Sequence, residues 1–203
     1  MKNISAFFIA AFLIATACNE RDKKREEPVA AESASVGGVI ITKTESGATD
    51  TIKKSIRAYV TNKIGPAEFK IAYHSPAVKG RIIWGGLVPF GQVWVTGAHM
   101  ATSIETNRDF IIDKNKVPAG KYALFAIPGK EDWTVIINKN WNQHLADEYS
   151  QKEDVLRWKL KPDTLGYVQE RLMYDINQWA QKDGDIIMMW EKLKLVIPVR
   201  IAD

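Results

Sequence analysis

An all-β fold is what this sequence predicts: an antiparallel, jelly-roll-like β-sandwich of about ten strands with one long irregular loop block. Three observations predict it. Apolar residues recur with period two from residue 55 onward, the breaks between them are short and made of turn residues, and no helix-length pattern separates one run from the next. A parallel sheet needs such helices as crossovers, so the antiparallel class is preferred.

The elements follow in order. Residues 55–61 form the first expected strand of the domain. In the second, Phe69, Ile71 and Tyr73 alternate with Lys70 and Ala72, as in a sheet with one face buried. Strands are then expected over residues 101–107, 110–113 and 121–127, parted by Lys114-Asn115 and Pro118-Ala119-Gly120. Pro128-Gly129-Lys130 turns the chain into a strand where Trp133, Val135 and Ile137 share a face. One or two helical turns are expected over 143–151, then strands over 155–160, 171–176, 185–190 and 192–201. Lys182-Asp183-Gly184 is the turn before the last pair, and Pro198 suggests an edge position, because proline cannot donate to a ladder.

Ahead of this domain the composition changes. Lys2, an apolar run over residues 4–15 too short to span a bilayer, and Thr16-Ala17 precede Cys18, the one cysteine of the chain. That order resembles a bacterial lipoprotein signal, although Ala15 stands where such signals usually carry Leu. The expectation is a signal peptide over residues 1–17, a flexible tether over 18–50 and a β-sandwich over 51–203. Cys18 would carry the lipid, anchoring an exported protein to a bacterial membrane on its periplasmic or cell-surface side. The tether is charged, then small and polar, and cannot bury enough apolar surface to offset its ordering entropy. Within it, residues 39–42 read either as an isolated strand or as an apolar patch.

Composition excludes some partners. The pI is near 9.0, yet basic and acidic residues alternate along the whole length and no basic cluster is interleaved with aromatics, so no nucleic acid is expected. No disulfide can form within a chain that has a single cysteine.

The least strand-like part of the domain is residues 75–101, rich in glycine and aromatics, and a long connection of this kind is usually functional. It holds Lys79-Gly80-Arg81, Gly86-Leu87-Val88-Pro89-Phe90-Gly91, Trp94, Thr96-Gly97-Ala98 and Ala101-Thr102. Further on come the run 117–125 with Pro118-Ala119-Gly120, then Ile127-Pro128-Gly129 and Trp133-Thr134. In these segments, over roughly residues 56–198, the chain resembles the bacterial domain of unknown function 2911 family. The resemblance implies an exported all-β protein, often a lipoprotein, and carries no established activity.

Departures from that pattern fall together. Ser75 stands where members often have Arg, and Val95, His99 and Met100 stand at places often held by Arg, Asn and Glu. Either this member binds something less polar, or a charged structural network has been replaced by apolar packing, which an ion pair often does not outperform.

Candidate ligand-binding residues are Lys79, Arg81, Trp84, Trp94, Thr96 and His99, where aromatic faces and donors could meet a sugar or peptide. The competing reading makes these tryptophans core, and it applies more strongly to Trp133, Trp158, Trp179 and Trp190. Gly80, Gly85, Gly86 and Gly97 are read as turn residues with positive φ. A zinc site would draw on His74, His99 and His144 with Glu105 or Asp147, but no short ligand spacing links them, and neither a metal nor a cofactor is expected. A nucleophile would be Ser75 or Thr96 beside a histidine, without any Gly-x-Ser-x-Gly elbow. The leading expectation is therefore a non-catalytic binding module for a glycan, a peptide or an envelope protein. An envelope hydrolase is the runner-up, and a structural partner in an envelope complex is third.

Overall fold

The structure is a computed structural model that describes residues 54–203 and, ahead of them, the backbone of two short strands, Ser33–Val36 (β1) and Val39–Thr42 (β2). The expected signal peptide, Cys18 and most of the tether lie outside the described residues. Of the two readings of residues 39–42 the strand is the one present, and it is not isolated: it pairs antiparallel with β1, Ser33 opposite Thr42.

Ten strands build the domain as two antiparallel sheets, a β-sandwich. The larger sheet has the order β10-β9-β8-β5-β4-β3, made of Ile56–Ile64 (β3), Ala67–Ser75 (β4), Thr102–Thr106 (β5), Gly120–Ile127 (β8), Trp133–Asn138 (β9) and Asp154–Leu160 (β10). The smaller has the order β11-β12-β6-β7, made of Phe110–Ile112 (β6), Asn115–Val117 (β7), Asp163–Gln178 (β11) and Asp183–Ile201 (β12). The expected strands are found, and period two is the cause: in β4, Phe69, Ile71 and Tyr73 are buried while Glu68 and Lys70 are exposed. Their rings meet the facing sheet edge to face, Phe69 with Phe110 at 5.7 Å and Tyr73 with Tyr174 at 4.8 Å between centroids.

Several expectations are corrected. The strands expected over 185–190 and 192–201 are one strand, β12; the break in pattern between them falls at Glu191, whose φ is 54° and which faces Gln169, around which β11 carries the extra residues of a bulged register. The strand expected over 171–176 extends to Asp163–Gln178, with register shifts on either side of Gln169. Those extra residues bond elsewhere: Val78 donates to the Glu170 carbonyl (2.8 Å) and Leu172 to the Pro76 carbonyl (3.0 Å), so β11 receives the start of the irregular block. Pro198 lies on an inner strand, not an edge. The β12 register with β11 reaches Lys194 and that with β6 begins at Arg200, leaving the proline between its two partners. In place of helical turns over 143–151 there is a single 3-10 turn, Gln151–Glu153, and Asn115, expected in a turn, begins β7.

Candidate functional site

The irregular block is packed, and its two tryptophans go inward while Phe90 stays exposed. Trp84 and Trp94 join Trp133 and Trp190 in a four-ring cluster: Trp84 meets Trp133 at 4.7 Å and Trp190 at 5.7 Å, and Trp94 stacks on Trp190 at 5.8 Å. Trp94 also ladders with Ala126 through both backbone groups, and its Nε1 donates to the Gly97 carbonyl at 3.0 Å. Trp133, Trp158 and Trp190 are buried, whereas Trp179 is exposed.

The other sequence candidates divide. Arg81 turns back on its own segment, donating from Nε to the Val78 carbonyl (3.1 Å) and from Nη2 to the Ala77 carbonyl (2.5 Å). Lys79 is exposed at φ 49°, its backbone N–H donating to Glu170 Oε1. Thr96 is fully buried at φ 49°, a strained conformation for a β-branched residue that its surroundings over-determine. Its hydroxyl donates to the Leu124 carbonyl (2.8 Å), and its carbonyl accepts from Tyr174 (2.8 Å) and from the Thr102 hydroxyl (3.1 Å). Burial pushes the Tyr174 hydroxyl far above its ordinary range, so it stays protonated as that donor. Ser75 likewise donates inward, to the Leu172 carbonyl at 2.6 Å, so neither Ser75 nor Thr96 presents a free nucleophile. Positive φ falls at Gly80 and Gly85 but not at Gly86 or Gly97. Gly97 is needed for closeness, since a Cβ there would sit 2.8 Å from Thr102 Oγ1.

Of the six, His99 comes nearest to an open concavity: it is exposed and stands beside His74, which lines the hollow. Its ring lies 5.4 Å from that of His74 in an edge-to-face pair at the end of β4. His74 titrates below its ordinary value, first through burial and then through the nearby His99 and Arg57, and its Nδ1 is buried without a hydrogen-bond partner. His144 pairs instead with Asp147, at 3.1 Å and in the open. Among the described residues no group of three or more His, Cys, Asp or Glu side chains is placed to hold a metal ion.

The concavity is a trough on the outer face of the larger sheet, and register explains it. One row across the strands reads Tyr59, Ala72, Ser103, Ala123, an aromatic followed by three small residues. The row on one side reads Thr61, Lys70, Glu105, Lys121, and the row on the other begins Arg57, His74. Small side chains between longer ones leave a channel. It opens as two adjoining hollows of about 280 and 480 Å³ that share Arg57, Ala72, Ser103 and Lys121. Met100 and Trp141 close one end, with Lys121 Nζ 3.8 Å above the Trp141 ring; at the other end Lys70 Nζ lies 5.3 Å from the Tyr59 ring. A larger hollow of about 700 Å³, by Asn62, Glu68 and Asn107, adjoins the trough through Lys70 and Glu105, and part of its rim is already paired, as in the 3.0 Å ion pair of Lys63 with Glu68.

Sequence reasoning missed this trough because its members lie on four strands. The signal was available in the exposed positions of the period-two pattern, but the rows appear only once the register is known.

The family model described as protein of unknown function (DUF2911) matches residues 55–199. The chain belongs to the DUF2911 family. No curated protein and no solved structure matches it. In this DUF2911 domain the departures from the family pattern fall in two places. Val95 is buried with Ala101, Ala123, Phe125 and Ile136, and Ser75 is buried against β11, so at those two positions the replacement is interior packing. His99 and Met100 are exposed at the end of the trough.

Proposed function

We propose that this DUF2911 protein is an exported, membrane-anchored envelope lipoprotein whose β-sandwich binds a ligand in the trough, without catalysis. The trough carries the reading. Arg57 and the Ser103 hydroxyl have no hydrogen-bond or ion-pair partner among the described residues, and a flat aromatic ring stands at each end. A few spare polar groups in a concave site with aromatic walls are what small-ligand recognition uses. Hydrolysis is less well supported, since the histidines at the trough, His74 and His99, neighbour each other and Arg57, with no carboxylate oriented on either ring. Anchoring rests on Cys18 and the apolar run before it.

Thermal unfolding of the full chain against oligosaccharides, cell-wall fragments and peptides tests the trough. A ligand at about a hundred times its Kd should add about 2.7 kcal/mol of stability. The gain should vanish in Ala72→Trp, which fills the floor at a surface position, and a shift that survives this substitution would place the site elsewhere. Turnover of any compound, lost in His99→Ala, would replace binding by hydrolysis. The anchor is tested separately: the chain from cell membranes should carry acyl mass at Cys18, and Cys18→Ser should move it to the soluble fraction.

A further inference from the structure

We infer that the trough takes a carboxylate-bearing oligosaccharide, an acidic glycan chain of two or three sugar units. The inference rests on the trough being a binding site and adds the chemistry of its occupant. Charge comes first. Arg57, Lys70 and Lys121 border the floor and Glu105 is the one carboxylate among its lining residues, so the trough is cationic with a single acceptor set into it. The cations are not equivalent. Register holds Lys70 and Lys121 on either side of Glu105, and Lys121 reaches it at 3.8 Å. Arg57, across the floor, has no such counter-ion among the described residues, and its planar fork matches a carboxylate.

Glu105 decides between kinds of anion. A polyphosphate or nucleic-acid backbone laid along the floor would be repelled by the carboxylate on its border. A sugar acid supplies hydroxyl donors for that same carboxylate while its own acid group goes to Arg57. The Ser103 hydroxyl, which has no partner among the described residues, suits a sugar hydroxyl equally. Tyr59 and Trp141 supply flat faces for pyranose rings.

Shape separates sugar from peptide. The floor lies on the face of β3, β4 and β5, where β4 and β5 each have both backbone edges paired, so an extended peptide would find no ladder to join there. From Arg57 and Tyr59 on β3 to Lys121 on β8 the trough spans four strands about 4.8 Å apart, about 14 Å, the length of two or three linked pyranoses.

The test is calorimetric titration of the full chain with galacturonate and glucuronate-containing di- to tetrasaccharides, beside neutral cello-oligosaccharides, tripolyphosphate and a glutamate-rich peptide. Saturable binding of an acidic oligosaccharide is expected. It should weaken at least about tenfold in Arg57→Gln and also weaken in Glu105→Gln, since each removes a charged hydrogen-bonding partner. Stronger binding in Glu105→Gln, or tripolyphosphate or the peptide binding as well as the sugars, would overturn the inference in favour of a simple anion site. Neutral sugars that bind equally well, and fail in Ala72→Trp, would overturn the acidic class while keeping the trough. If no compound binds, the acidic class and the trough reading fall together.

Discussion

The outer face of the six-stranded sheet has two halves that obey the same alternation and end differently. Over β8 and β9 the outward residues are Ala123, Phe125 and Ile136, and they form a second core with Val95 and Ala101 of the irregular block. Tyr149 closes it, its ring 5.3 Å from Phe125 and its hydroxyl in a network with Asp154 and Arg157. Burial, and the hydrogen bond to Asp154, push that hydroxyl up to about 12. Over β3, β4 and β5 the face carries the trough, and the outward residues are Arg57, Tyr59, Lys70 and Glu105 with small residues between. An outward position on a strand is therefore apolar or charged according to the loop above it. Stability is invested in the covered half, and the open half is the one proposed for recognition.

Phe125→Ala should break the contrast most visibly, with about 3–5 kcal/mol lost to urea unfolding through the cavity it leaves in the second core. Tyr174→Phe should cost less, about 1 kcal/mol, because the Thr96 carbonyl keeps its bond from the Thr102 hydroxyl. A loss as large as that of Phe125→Ala would mean that the irregular block detaches without Tyr174. In the open half, Tyr59→Ala should change unfolding by no more than about 0.5 kcal/mol while abolishing ligand-induced stabilisation. A large stability loss there would make the trough structural.

The smallest effect concerns pH at the boundary of the halves. The folded pKa of His74 is depressed, so the unfolded chain takes up its proton first as pH falls. The His74 contribution is then level above about pH 6.5, declines as pH drops through that value, and levels again below the folded pKa. His74→Gln should flatten the decline in urea midpoint between about pH 8 and about pH 5. An unchanged slope would assign the decline to other groups.

Fold was legible wherever local pattern sufficed. Phe69, Ile71 and Tyr73 declare their face within five residues, and the structure buries all three. Legibility failed where the outcome depends on a distant partner. The break at Glu191, opposite the bulged part of β11, looks in sequence like the end of one strand and the start of another, and Pro198 looks like an edge until its two partners are seen to stop short of it. For the site the limit was sharper. Trp84 and Trp94 resemble binding aromatics because neither shows in sequence that Trp133 and Trp190 come to meet it. Ala72 and Ser103, the floor of the trough, carry no chemical signal at all; their smallness matters only beside Arg57, Lys70 and Lys121.

Thr96 ties three strands at once, reaching β8 through its hydroxyl and β5 and β11 through its carbonyl, and it does so with backbone and hydroxyl groups alone. The residues that follow it at the trough end, His99 and Met100, owe their position to that knot and not to their own side chains. They form a cassette that can be rewritten without rebuilding the scaffold, so Asn and Glu in their places would leave this architecture intact.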